Sequence, residues 1–195
     1  MASDSKLAPL APGDRPEWVF GYGSLMWRPG FPFKEQRTAT LQGFHRSFCI
    51  RSNRYRGTPD RPGLVLGLDQ GGSCTGTAFR IADDEWDNVV DYLNERELVG
   101  YAYTPRVLPL TIDDWNVAAY TFVADSDHRH YAGNLGLEKS AEIIVEASGI
   151  MGLNRDYLIN TVRELEAHGF HDNENHELLT RVEYLTDLND QRRRI

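Results

Sequence analysis

The sequence predicts an α+β fold built around an antiparallel or mixed sheet, on three observations. Strand-like segments dominate its first two thirds, one amphipathic helix interrupts them, and the last third carries helical periodicity. Strands followed by helices, rather than the two in strict alternation, argue against a doubly wound parallel sheet.

Trp18-Val19-Phe20 reads as a short apolar strand that runs into the glycine-bearing turn Gly21-Tyr22-Gly23-Ser24-Leu25. Thr38 to Ser52, Gly63 to Asp69 and Ser73 to Ile81 carry β-branched and aromatic residues between Gly and Pro punctuation, which predicts three more strands. Asp69-Gln70-Gly71-Gly72 is the expected hairpin between the last two. From Asp83 the period changes: Trp86, Val89, Val90 and Leu93 recur at i, i+3, i+4 and i+7 behind an Asp N-cap, which predicts a helix with one apolar stripe. Tyr101 to Leu110 and Trp115 to Ala124 return to strand composition around the turn Asp113-Asp114. Helices are expected over Leu137 to Ala147, Asn154 to His168 with Gly169 as its stop, and Glu174 to about Leu188.

At 195 residues the chain suits a single domain, expected over residues 17–190, with a flexible tail at 1–16 and a basic tail at 191–195. Its 21 Lys and Arg against 29 Asp and Glu leave a formal charge of -8, which opposes nucleic acid and anionic membranes as partners and means that an anionic substrate needs a locally basic site. Neither the first sixteen residues nor any later segment holds an apolar run long enough for a signal-peptide core or a membrane span, so a cytoplasmic location is expected. Cys49 and Cys74 show no metal or redox spacing and read as free buried thiols in a reducing compartment rather than as a disulfide.

One carboxylate breaks the helical pattern. At about 100° per residue Glu97 falls on the centre line of the stripe set by Trp86, Val89, Val90 and Leu93, while Glu95 falls almost opposite, among Asp87, Asn88 and Asp91. An inward carboxylate is desolvated, which raises its pKa towards the range of a general base. The competing reading is a buried ion pair between Glu97 and an arginine such as Arg51 or Arg80.

The turn after the first strand has its own reason to line a pocket. Gly21 and Gly23 flank Tyr22, so the backbone is expected to take dihedrals closed to other residues and to approach a ligand closely. Successive N–H groups of such a turn converge on negative charge, and Ser24 adds a hydroxyl. The residues match neither G-x-S-x-G, nor G-x-G-x-x-G, nor a P-loop.

The remaining candidates are weaker. His168, His171 and His176 lie near Asp172, Glu174 and Glu177 without H-E-x-x-H spacing, so no metal is expected. Arg51, Arg54, Arg56 and Arg61 form a basic stretch that either grips a substrate carboxylate, with Arg51 preferred because it borders a strand, or is a solvated loop. Tyr101, Tyr103 and Tyr131 offer hydroxyls to a ligand or pack in the core.

Taken together, Val19-Phe20-Gly21-Tyr22-Gly23-Ser24-Leu25 with Trp27, Gly43-Phe44-His45-Arg46, Arg56-Gly57-Thr58-Pro59 with Pro62-Gly63, and Arg96-Glu97 with Gly100-Tyr101 resemble the ChaC family of γ-glutamylcyclotransferases, its glutathione-specific branch. The likeness runs in order from about Trp18 to Tyr131, and the combination carries it rather than any one piece. It implies a γ-glutamylcyclotransferase-like fold in which a small barrel-like sheet is flanked by helices. It also implies conversion of glutathione to 5-oxoproline and cysteinylglycine without a cofactor. By position Glu97 matches the catalytic glutamate, and Val19 to Leu25, that is Val19, Phe20, Gly21, Tyr22, Gly23, Ser24 and Leu25, match the substrate-binding loop. Tyr131 departs from the family in its surroundings, Tyr131-Ala132-Gly133-Asn134 standing where Tyr-Leu-Gly-Pro is frequent, which leaves substrate breadth open. The alternatives are a cyclotransferase for another γ-glutamyl amine or dipeptide, and a non-catalytic glutathione-binding module. Oligomeric state is not legible.

Overall fold

The computed structural model of the chain describes residues 15–98 and 102–193. Its strands are β1 (Trp18–Gly21), β2 (Glu35–Ser52), β3 (Gly63–Arg80), β4 (Tyr103–Ile112), β5 (Trp115–Ala124), β6 (Ser148–Gly149) and β7 (Gly152–Leu153). Its α-helices are α1 (Trp86–Glu97), α2 (Leu137–Glu146), α3 (Asn154–Ala167) and α4 (Asn173–Arg193). The first five strands close into a barrel in the order β1-β3-β2-β4-β5, and β6 and β7 form a separate two-stranded sheet. The contacts divide the chain into two compact units, the first made of residues up to Arg46 with Leu68–His128, the second of Ser47–Gly67 with the residues from Arg129 onward.

In the first unit β1 is central to the closure. It pairs antiparallel with β3 from Trp18↔Arg80 to Gly21↔Thr77, and parallel with β5 at Trp18↔Ala119 and Val19↔Tyr120. The parallel pairing makes the sheet mixed, as expected for a barrel-like α+β fold. The β4–β5 ladder is a long hairpin from Tyr103↔Ala124 to Ile112↔Trp115, turned at Asp113, which takes a φ of 50°. Phe20, Phe79, Tyr120, Phe122, Leu41, Leu110 and Ile112 are fully buried, and each contributes about 1.5–3 kcal/mol by leaving water. The α1 helix lays Trp86, Val89 and Leu93 inward, with Trp86 edge-on to Tyr120 at 6.2 Å between ring centroids. Beside them Asn94 is buried and accepts the Tyr120 hydroxyl at 2.8 Å, which leaves no orphan polar atom in that pair.

Three expectations need correction. The segment 63–80 is one continuous strand rather than two joined by a hairpin at Asp69-Gln70-Gly71-Gly72. Gly71 and Gly72 do adopt positive φ, 100° and 65°, but within β3, where they relax the strand locally without reversing it. The helix expected from Asp83 opens with a single 3-10 turn, Asp83–Glu85, and becomes α-helical only at Trp86. Val90 is half-buried, so the stripe is narrower than its spacing implied.

The second unit is mainly helical. Its three helices start and stop within a residue or two of the expected limits, except that α4 continues to Arg193. Ala141 and Ile144 of α2, Leu158, Val162 and Leu165 of α3, and Leu178 and Val182 of α4 are buried. Arg181 on α4 holds Glu138 on α2 at 2.6 Å. The first residue of α3, Asn154, is fully buried, and its side-chain amide bonds both backbone groups of Leu64: Oδ1 accepts the N–H and Nδ2 donates to the carbonyl, each at 2.7 Å. Cys49 in this unit and Cys74 in the first are buried and are not joined in a disulfide. No helix among the described residues is long and apolar enough to cross a membrane.

Candidate active site

The site is assembled in the first unit, where β1 ends. After Gly21 the chain passes through Tyr22 and Gly23 into a single 3-10 turn, Ser24–Met26. Met26 N–H closes on Gly23 O and Arg28 N–H on Ser24 O, both at 2.9 Å, so the N–H groups of Gly23, Ser24 and Leu25 lie ahead of the first closure. Leu25 and Met26 are buried and anchor the turn, whereas Ser24 is exposed.

Three side chains from three elements hold this backbone. Thr121 on β5 donates its hydroxyl to Phe20 O at 3.0 Å. Arg46 on β2 donates Nε to Tyr22 O at 2.5 Å and Nη2 to Thr75 O on β3, with Met26 Sδ 3.8 Å from Nη2. Arg96 on α1 donates Nη2 to Ser24 Oγ at 2.8 Å. Neither glycine takes a left-handed φ, but Gly23, at φ -137° and ψ -132°, lies outside the regions that other residues favour, as expected of the turn. Gly21 is needed for space, since a Cβ on it would sit 3.0 Å from Leu25 Cβ and 3.4 Å from both Met26 N and the Phe79 ring.

Glu97 is the last residue of α1, and its side chain retains 20% of its exposure. Burial pushes its carboxyl pKa above the ordinary carboxylate value, and the Arg96 guanidinium pulls in the other direction. The cation beside it is thus its chain neighbour, with Arg96 Nε 3.2 Å from Glu97 Oε1, and not Arg80, which reaches Glu17 at 2.9 Å and Glu35 at 3.9 Å. Arg96 is fixed in turn by Arg28 O at 2.8 Å, Pro29 O at 3.3 Å and the Tyr92 hydroxyl at 3.0 Å. One guanidinium therefore grips the exposed hydroxyl of the turn and the raised carboxylate together. Glu95 is exposed, as the helical phase predicts.

The other candidates lie on other segments of the chain. Arg51 and Tyr131 belong to the second unit, where Arg51 N–H donates to His130 O at 2.7 Å and Ile50 bridges Tyr131 antiparallel. Tyr101 lies outside the described residues. Arg56, from the basic stretch, is engaged structurally: Nη1 donates to Met151 O at 2.6 Å and Leu153 O at 3.3 Å, tying down the β6–β7 hairpin. His168 bonds back to its own helix α3, Nδ1 to Glu164 O at 2.8 Å, and His176 of α4 bonds Asp172 O and Glu166 Oε1 of α3, both at 2.7 Å.

Arg46, Thr121 and the bridging role of Arg96 were not read from the sequence. For Arg46 a signal existed: Phe44, Arg46, Phe48 and Ile50 alternate along one strand, which places the arginine on a face otherwise apolar. Thr121, one hydroxyl in a β-branched strand, gave none.

Residues 17–185 match the family described as ChaC-like protein. The glutathione-specific gamma-glutamylcyclotransferase of Escherichia coli (strain K12) is 38% identical over 175 residues, spanning 89% of this chain and 76% of that protein. Gamma-glutamylcyclotransferase 2-3 of Arabidopsis thaliana is 34% identical over 189 residues, 91% of this chain and 89% of the relative. Among solved structures, the crystal structure of a gamma-glutamyl cyclotransferase specific to glutathione from yeast aligns with a TM-score of 0.77 at 21% identity, over 88% of this chain and 100% of that one. That likeness supports the fold, a γ-glutamylcyclotransferase-like barrel with helices.

Proposed function

The chain belongs to the ChaC-like protein family, and from that premise we propose that it is a γ-glutamylcyclotransferase that degrades glutathione to 5-oxoproline and cysteinylglycine, with Glu97 as its general base and acid. The observation that carries the residue assignment is the arrangement at the end of α1. A carboxylate with a raised pKa sits on the same guanidinium that holds Ser24 of the glycine turn.

The reaction needs no protein nucleophile. The α-amine of a γ-glutamyl amide can reach its own γ-carbonyl carbon and close a five-membered ring. A new C–N bond forms, the bond from that carbon to the cysteine nitrogen breaks, and the nitrogen leaves as the free amine of cysteinylglycine. Holding the substrate in its cyclisable conformer uses effective molarities that reach about 10⁵ to 10⁸ M in favourable intramolecular cases. What remains is proton transfer. The attacking nitrogen begins largely as ammonium, and it must shed protons before and during ring closure while the leaving nitrogen gains one. A carboxylate raised above its ordinary value is a stronger base than an exposed one and is suited to take a proton and return it.

The remaining groups supply charge and direction. N–H groups of the turn bind either the γ-carbonyl oxygen as it becomes an oxyanion or the α-carboxylate, and the amides of Gly23 and Ser24 are the assigned donors. Arg96 gives an acidic chain the local positive charge that an anionic substrate requires. Val19, Phe20, Gly21, Tyr22 and Leu25 form the wall that carries these donors. Arg51, as the strand-bordering arginine of the basic stretch, and Tyr101 and Tyr131, for their hydroxyls, are proposed as further substrate contacts.

The test is the time course of 5-oxoproline release when purified protein meets glutathione, beside γ-glutamyl-alanine and γ-glutamyl-ε-lysine. Preferential turnover of glutathione is expected. Product from one of the other amides alone would move the substrate assignment, and no product from any of them would reject the function.

A further inference from the structure

Among the described residues of the first unit, Arg46 is a buried charged side chain that the proposed chemistry does not use. Arg46 is only 5% exposed, and moving a guanidinium out of water costs several kcal/mol unless its donors are matched. Its donors meet two backbone carbonyls, Tyr22 O in the glycine turn and Thr75 O on β3, with Met26 Sδ against Nη2. A neutral side chain could hold one carbonyl at lower desolvation cost. The fork of an arginine reaches carbonyls on two different segments and keeps its charge at any pH.

The Tyr22 carbonyl and the Gly23 N–H belong to one peptide unit. No peptide bond among the described residues is cis, so the unit is planar and trans, and its C=O and N–H point in opposite directions. With the oxygen fixed on a buried cation, the Gly23 N–H points away from that cation, and the next residue, Ser24, is exposed. The same contact has an electronic consequence. Hydrogen bonds to an ionised donor are roughly twice as strong as neutral ones, and bonds in a chain polarise one another. Electron density drawn onto Tyr22 O leaves the Gly23 N–H more positive, hence a better donor to an anion.

We propose that Arg46 is a positioning residue of this site: through the Tyr22–Gly23 peptide its guanidinium aims and polarises the Gly23 N–H that receives the anionic oxygen of the substrate. The inference rests on the cyclotransferase reading above. Arg46 touches no substrate, and it acts on the reaction only through the peptide it holds. This also gives the Gly43-Phe44-His45-Arg46 stretch a function: it delivers a cation to the inner face of β2 opposite the turn.

The test compares Arg46→Lys and Arg46→Met in 5-oxoproline release from glutathione. Each variant is assayed well below its own melting temperature and normalised to folded protein. Removing one preorganised oxyanion donor costs about 10²–10³ in turnover, and misdirecting one is expected to cost about tenfold or more in Arg46→Met. Arg46→Lys, which keeps the charge and can still reach one carbonyl, should recover part of the loss. Equal turnover of Arg46→Met and wild type overturns the inference, and so does equal loss in the two variants, which would mark a packing role only. A second measurement needs no variant: in [15N]glycine-labelled wild-type protein, the Gly23 amide proton should move downfield on saturation with 5-oxoproline, whose carboxylate and lactam oxygen stand in for the substrate's anions. An unmoved Gly23 signal at saturation also overturns it. If wild-type protein releases no 5-oxoproline from glutathione, the underlying reading has failed; if wild type turns over and only the Arg46 outcomes disagree, this inference alone has failed.

Discussion

Both units contain a buried polar side chain that bonds two backbone groups, Arg46 in the first and Asn154 in the second, and these two do so in opposite ways. In the second unit Asn154 offers an acceptor and a donor to the N–H and the carbonyl of Leu64, so that stretch of β3 is closed on itself. In the first unit Arg46 offers donors only and satisfies the carbonyls of Tyr22 and Thr75, leaving the adjoining N–H groups uncommitted to it. A neutral amide that pairs both backbone groups finishes a structure. A cation that pairs one of them turns the other outward for use. The same contrast separates Arg56, spent on holding the β6–β7 hairpin, from Arg96, which holds the turn and Glu97 together.

The comparison can be broken most easily at Arg96. Arg96→Leu removes the bridge between Ser24 and Glu97 along with the cation that opposes the burial-driven rise in the Glu97 pKa. Turnover should fall by about tenfold or more, on the scale of a lost charge-assisted contact. The sign of the pH effect is fixed. A general base acts when deprotonated, so the acid limb of kcat/KM follows its pKa in the free enzyme, and without Arg96 that limb should move to higher pH. A limb that stays in place or moves to lower pH in a pH–rate profile would separate Glu97 from the titrating group. The second unit predicts a different kind of loss. Asn154→Ala leaves both backbone groups of Leu64 without their side-chain partners and should lower stability by about 1–3 kcal/mol in urea denaturation. Turnover per folded molecule should be unchanged, and a kinetic defect at full folding would erase the distinction between the two grips.

How much of this could be read from the chain depends on the length over which a pattern repeats. The helices α2 and α3 repeat their pattern over several turns and are located within a residue or two, whereas α1 begins three residues late behind a 3-10 turn and α4 runs on to Arg193. The α1 stripe is also what singles out Glu97 from Glu95. Shorter features escape. The two-residue strands β6 and β7 are too brief for any period, and Gly71-Gly72 reads as a hairpin because a kink inside a strand and a reversal between strands use the same residue. Side-chain-to-backbone grips are illegible for another reason: the carbonyl that Arg46 or Thr121 binds has no sequence identity, and only the closed barrel brings it near. The ion pair of Glu97 with its own neighbour was overlooked because adjacent helical residues do not share a face, although a long arginine can fold back.

Glu97 sits at the centre of the account, and the direction of its pKa makes it testable on two axes. A carboxyl whose folded pKa is raised favours the folded state below its unfolded pKa, and that contribution is lost as pH rises through the folded value. Above the folded value the ionised form therefore burdens the fold, and Glu97→Gln, which keeps the shape without the charge, should leave Tm unchanged or higher. The most direct measurement is 5-oxoproline release from glutathione at neutral pH by wild type, Glu97→Gln and Glu95→Gln in parallel, with Tm recorded for each. The account predicts a fall of about 10² or more for Glu97→Gln without loss of Tm, and wild-type turnover for Glu95→Gln. Equal losses in both variants, or full activity in Glu97→Gln, would contradict it.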